Sequence, residues 1–362
     1  MNYTATDVYV SCTCIPGYDI GPRTNNPNVP VPQDLTFRIT RTPVENTGTD
    51  IGTGLGHIGV WRNGVSIFNA EDGMSYNDQG IWHRDAKVFE GISFDLCLGH
   101  PAPNGEYHHH VSPNCLYDHM DDQAHSDLIG YAFDGFPIYG AWGFTNSNGT
   151  GGITRMRTSY QLRNITDRTT MPDGTVLPAN QYGPALAGQY PPGAFNEDHA
   201  YVAGSGDLDE RNGRFTVTPE HPVGTYAYFV TLDSLLQPEF PYVIGLTYYG
   251  TVAAGNTGPG GGHFTIPGGA ILYTPSTAVQ DLDHTSLSVF PVPTASDLNI
   301  RTDGASLRSI DLIDANGRMV RSMALQGTRV ALSLDGLANG FWIARITLAD
   351  DRVVMRPFVK QP

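Results

Sequence analysis

The stretch Ile58–Phe68, IGVWRNGVSIF, sets two apolar runs around the polar break Arg62-Asn63-Gly64. Asn-Gly tolerates positive φ, so the spacing predicts a β-hairpin. The same texture recurs outward along the chain. DVYVSC (7–12), LTFRIT (35–40), GTYAYFVT (224–231) and YVIGLTYYG (242–250) are short, rich in Val, Ile, Tyr and Phe, and flanked by turn residues. The 42 Gly and 26 Pro favour many turns, and a charged fraction of only 16% leaves little to clothe surface helices. Only SYQLRNI (159–165) and NEDHAYV (196–202) are expected to hold a helical turn or two. The expected fold class is mainly β: a large β-rich domain with little helix, then a small C-terminal β-sandwich.

The 362 residues are enough for two domains, and 40% are hydrophobic, including 18 Tyr and 15 Phe, so a packed core is available. The net charge of −15 comes with no basic stripe, which disfavours nucleic acid as a partner. No run approaches the roughly 20 apolar residues of a membrane helix. The opening MNYTATDVYV lacks a basic start and an apolar core, so no signal peptide is expected within it. GNTGPGGGHFTIPGGA (255–270) cannot pack a core and reads, with the polar residues after it, as a linker over 253–286, leaving domains at 1–252 and 287–362. His263, inside it, is expected to be solvated.

Four histidines crowd into GHPAPNGEYHHHVSPNC (99–115). In an extended segment His108 and His110 face one way, while His109 and Tyr107 face the other. Two rings at i and i+2 can converge on one ion. His100 lies a short loop upstream, and His125 opens another loop-to-strand segment. Folding is expected to gather His100, His108, His110 and His125 as ligands of a divalent metal, zinc or copper for preference, since imidazole suits both. Asp95 and Asp134 are candidate acceptors for ring N–H groups, and Tyr107 stands beside the ligands as further support. Glu106 or Asp134 would serve as general base if a metal-bound water attacks substrate. Asp-rich turns, EDG (71–73), YDHMDDQ (117–123) and GDLDERNG (206–213), offer oxygen ligands for calcium, though none has EF-hand spacing.

Cys97 and Cys115 bracket this cluster, and a disulfide between them is expected in an oxidising compartment. Cys12 and Cys14 are too close in sequence for an unstrained bridge and receive no role.

From Leu287 the pattern is regular, with strand-turn units at roughly ten-residue spacing that suit a small β-sandwich; Asn316-Gly317 and Asn339-Gly340 supply turns. FPVPTASDLNI (290–300), DLIDANGRMV (311–320), GLANGFWIARI (336–346) and the closing PFVKQP (357–362) resemble the C-terminal sorting domain of the type IX secretion system of Bacteroidetes. That resemblance implies export by this machinery as a partner, and an extracellular or outer-membrane-surface location.

A second resemblance covers most of Asp7 to Gly250. CLGHPAPNGEYHHHVSPNCL (97–116), HSDLIGYAFDGFPIYGAWG (125–143), GDLDERNGRFTVTPEHPVGTYAYFVT (206–231) and FPYVIGLTYYG (240–250) occur in the order seen in the YHYH domain family. His100, His108, His110 and His125, with Asp95 and Asp134, fall on its motifs. His109 stands in place of the second Tyr of the family's run, Asp127 in place of a Pro, Arg211 in place of a Cys and Ala227 in place of a His. The resemblance implies a fold and a site without naming a reaction. Two readings stand: a secreted metal-dependent hydrolase or oxidoreductase of a small molecule or polysaccharide, or a non-catalytic module that binds glycans or surfaces and whose histidines form a structural network.

Overall fold

The structure, a computed structural model, describes residues 1–22, 25–274, 287–302, 306–314, 318–350 and 353–362. It divides into two compact units, Met1–Tyr273 and Thr274–Pro362.

An eight-stranded mixed sheet runs through the first unit, in the order Gly213–Thr216, Thr225–Phe229, Pro137–Tyr139, Leu128–Ala132, His57–Trp61, Ser66–Phe68, Tyr107–His109, His100–Pro101. The expected hairpin lies at its centre. Trp61 N–H donates to Val65 O at 2.9 Å and Gly64 N–H to Trp61 O at 2.8 Å. Gly64 takes φ 83°, the left-handed residue that closes a three-residue loop. Strands His57–Trp61 and Leu128–Ala132 approach closely because both carry glycine at the contact: a Cβ on Gly130 would stand 2.8 Å from Val60 O. Fully buried Ile58, Ile67, Ile129, Ile138 and Tyr228 on these strands join Phe37 and Phe133 in the main core. A second sheet orders Ile271–Leu272, Asn2–Tyr3, Asp7–Cys12 and Leu35–Thr40. Leu35–Thr40 alternates strictly between buried and half-buried, as a strand with one face on the core must.

Three local expectations are corrected. Tyr160–Leu162, expected as helix, is a strand paired with His199–Tyr201, and only Asn196–Asp198 makes a 3₁₀ turn. Residues 242–250 form no strand among the described elements. Their amides and carbonyls bond to loops instead, Gly245 N–H to Arg211 O and Tyr248 N–H to Ile51 O, while fully buried Tyr248 donates to Ile58 O at 3.0 Å. The run is apolar because it plugs the core. The glycine-rich segment expected to begin the linker lies against the Leu35–Thr40 strand, and Ile271–Leu272 after it pairs with Asn2–Tyr3 at the other edge of the sheet. Thr36 N–H donates to Gly262 O, Phe264 N–H to Thr36 O, and buried Asn256 exchanges bonds with the Arg38 backbone. Its backbone groups and the Asn256 side chain fix it there; His263 within it is exposed. Residues 275–286 of that linker, and the Asn316-Gly317 turn, lie outside the described residues.

The second unit contains a three-stranded sheet (Leu287–Phe290, Asp297–Thr302, Arg329–Ser333) and a four-stranded sheet (Met319–Ala324, Leu307–Asp314, Gly340–Leu348, Val353–Lys360). Trp342, Ala344, Ile346 and Leu348 alternate inward and share a core with Leu298, Ile300, Ile310 and Phe358, the signature of a β-sandwich. Among the described residues no helix is long and apolar enough to cross a membrane.

Candidate metal centre

The centre forms at one end of the eight-stranded sheet. Residues 102–105 turn so that His100 pairs with His108 across two short antiparallel strands, with Gly105 at φ 82°. His110 follows two residues after His108, on the same face. A single-turn helix, Ala86–Phe89, is capped by Asp85, whose side chain accepts from Val88 N–H, and it ends at Glu90. These pieces bring Glu90, His100, His108 and His110 together, with one donor atom of each inside 4.8 Å of every other.

Hydrogen bonds fix the tautomer of every ring. His108 Nδ1 faces Glu106 O at 3.0 Å and His110 Nδ1 faces Asn69 O at 2.6 Å. Carbonyls only accept, so both Nδ1 atoms carry the proton. Ser93 donates its hydroxyl hydrogen to Glu90 O at 2.8 Å, which leaves its oxygen to accept from His100 Nδ1 at 2.7 Å. All three Nε2 atoms are therefore bare lone pairs aimed at one point. His108 Nε2 and His110 Nε2 are 3.1 Å apart. Glu90 Oε2 lies 3.2 Å from His110 Nε2 and 3.1 Å from His100 Nε2, off the line of a hydrogen bond to the latter. Phe68 stacks on His108 at 3.9 Å between centroids and holds the ring in place.

Such an array of electron pairs repels itself unless a cation sits among them. Donors about 2.0–2.1 Å from a tetrahedral ion would stand about 3.3 Å apart, close to the spacing found. Burial pushes the His100 and His108 imidazoles below their ordinary range, so neither readily supplies the missing charge as a proton. The rings are almost wholly buried, at 7%, 3% and 3% exposure, while the Glu90 side chain is 26% exposed. Both Glu90 and the rings line a cleft of about 450 Å³, bounded by Phe68, Phe89, Pro101 and Pro103.

The other predicted site residues lie elsewhere. His125 packs between Tyr139 and Phe144 and faces Ser126 O through Nδ1 at 2.9 Å, so it is not a fourth ligand. The Glu106 carboxylate, expected as a base, is turned onto His57 Nε2 at 2.7 Å; only its carbonyl serves the centre. Asp134 accepts from Tyr228, Gly250 and Phe136 in the main core. Asp95 accepts from Tyr107 Oη–H at 2.9 Å and from the amides of Gly21, Cys97 and Gly99, so Asp95 and Tyr107 brace the loop without touching a ligand ring nitrogen. Cys97 and Cys115 are joined, enclosing the ligand loop. The acidic turns suggested for calcium do not converge among the described residues: Asp118 and Asp121 cap their own turns, and Asp209 accepts from Arg211 N–H, Gly213 N–H and Tyr226. Glu90 went unrecognised in the sequence, where a lone glutamate after AKVF carries no ligand spacing.

The family model for YHYH protein matches residues 36–241, more than half of the chain. The chain belongs to the YHYH family. A model for the secretion system C-terminal sorting domain matches residues 288–361 of this YHYH protein. The sorting domain marks it as a secreted or cell-surface protein that engages the type IX machinery. No curated protein matches the chain significantly.

Proposed function

We propose that the YHYH unit is a metal-dependent enzyme whose centre is formed by His100, His108, His110 and Glu90. One observation carries this reading: three buried imidazoles, each with Nδ1 committed to an acceptor, point bare Nε2 atoms at one another and at a carboxylate. A purely hydrogen-bonded network would need a donor among those nitrogens, and the tautomers provide none. Three nitrogens and one oxygen suit zinc or copper(II) and are too few and too soft for calcium.

Bound there, zinc would supply Lewis-acid chemistry and an acidified water, and copper would add electron transfer. The chain's own contribution is positional. The rings are immobilised from behind, and Glu90 reaches the centre from the cleft side, where its carboxylate would either help to hold the ion or accept a proton. The cleft is large enough for a small molecule or the end of a longer one. This supports hydrolysis as the first reading, and ion identity decides between it and a redox role.

Elemental analysis of protein purified without added metal tests the proposal. About one equivalent of zinc or copper is expected in the native chain and none in the His108→Ala, His110→Ala variant. Native protein that fails to retain either ion after loading and desalting would overturn it.

A further inference from the structure

A second cleft, of about 690 Å³, shares no lining residue with the metal cleft and is lined from both sheets of the first unit. Strands Asp7–Cys12 and Leu35–Thr40 supply Val8, Val10 and Ile39, and strands His57–Trp61 and Leu128–Ala132 supply Val60 and Tyr131. We propose that this cleft binds a free fatty acid, an aliphatic chain ended by one carboxylate, independently of the metal centre.

Strand register builds the two walls. Val8 stands directly opposite Ile39 on one neighbouring strand and Tyr3 on the other. Val60 stands opposite Tyr131, and Tyr131 opposite Pro137. Directly opposed residues share a face of their sheet, so each set presents a continuous, largely apolar surface, extended by Val10 two residues beyond Val8. Gly135, at φ 90°, ties the walls together: a Cβ there would stand 2.6 Å from Thr40 Cγ2, so a side chain would hold this turn away from the end of the Leu35–Thr40 strand. The space enclosed falls within the range of small-molecule sites. Its branched aliphatic lining suits hydrocarbon, and each methylene that enters should tighten binding by up to about 4-fold.

Charge selects the head group. The chain carries a net charge of −15, yet this lining holds Arg41, Arg62 and His221 and no Asp or Glu. The metal cleft shows the opposite balance, with Glu71 and Glu90 and no Lys or Arg. Arg62 is already committed, to Asp127 at 3.0 Å and to Leu116 O at 2.9 Å. Arg41 forms no ion pair among the described residues. Its Nη1 donates to Thr4 O at 2.8 Å, and its guanidinium lies over the Tyr3 ring at 5.3 Å. A guanidinium tethered in this way loses little freedom when its remaining N–H groups grip a carboxylate.

The test is titration calorimetry on the full chain in the presence of chelator, so that no ion at the metal centre can capture the carboxylate. The probes are decanoate, its neutral analogue decan-1-ol, its cationic analogue decyltrimethylammonium, and the shorter octanoate. Decanoate is expected to bind at one site, more tightly than octanoate and on the order of 10-fold more tightly than either analogue. Arg41→Gln should weaken decanoate on the order of 10-fold and leave decan-1-ol unchanged. Val10→Trp, which fills the cleft, should abolish binding of both while the thermal transition stays near that of the native chain. No saturable decanoate binding to the native chain, equal binding of the three head groups, or an Arg41→Gln chain that binds decanoate as tightly as the native one would overturn the proposal. The comparison of head groups on the native chain needs no variant to fold.

Discussion

The Nε2 atoms of His108 and His110 stand 3.1 Å apart with neither able to donate to the other, because each ring spends its proton on a backbone carbonyl. The rings hold this contact because Phe68 packs on His108 and strand register sets both on one face. Filling the point between them with a cation should therefore stabilise the fold.

A ligand that binds only the folded chain at 100 times its dissociation constant adds about 2.7 kcal/mol. Saturating zinc or copper should raise the melting temperature of the native YHYH protein, and a chelator should reverse the rise. In the His108→Ala, His110→Ala variant neither addition should move the transition. Calorimetry with and without chelator checks this.

Ser93 orients His100 without touching the proposed ion. Ser93→Ala should weaken metal affinity on the order of 10- to 100-fold while leaving the stoichiometry at one. Competition against a coloured chelator reads both quantities. An unchanged affinity would mean that packing against Phe94 suffices to aim the ring.

Removing the Cys97–Cys115 bridge with a double alanine substitution should cost about 3 kcal/mol, the expectation for a loop of this length. For a unit of this size that corresponds to a fall in melting temperature of about 6–12 °C. Thermal unfolding of the native and substituted chains under non-reducing conditions gives the comparison.

Arg168 and Asp198 form a buried pair, with bonds at 2.6 and 2.7 Å, and Arg168 also donates to the carbonyls of Pro184 and Pro191. Asp198→Ala strands a guanidinium in the interior and should cost about 3–5 kcal/mol. Denaturant titration should show the midpoint falling with little change in slope.

His199 stacks face to face on Phe240 at 4.3 Å, and burial pushes its imidazole down to about 4. The unfolded chain binds this proton near the ordinary histidine value, so the unfolded state gains protons first as pH falls. Stability from this group is complete above about pH 6.5 and is lost between there and pH 4, by about 2–3 kcal/mol. His199→Phe keeps the stack and should flatten the stability profile in that window.

The β-hairpin at Arg62-Asn63-Gly64 and the pairing of His108 with His110 were legible because each is local: one follows from turn chemistry, the other from the two-residue period of a strand. His100 was legible through its nearness in sequence. His125 misled because an imidazole reads alike whether it meets an ion or lies between Tyr139 and Phe144. Glu106 shares the period of His108, but it precedes the strand, and the turn at Asn104-Gly105 sends its carboxylate to His57 instead. Glu90 was invisible because only the tertiary placement of one helical turn brings it to the histidines. Tyr242–Gly250 imitated a strand because core-filling and ladder-forming segments draw on the same apolar residues.

The disulfide around His100, His108 and His110 also sets the order of events during the protein's life. Cytosolic reductants would keep Cys97 and Cys115 apart, so the ligand-bearing loop becomes clamped only once the chain has left that compartment. A metal centre of the kind proposed would therefore draw its ion from the pool outside the cytosol, where supply, more than intrinsic preference, would govern which metal is bound.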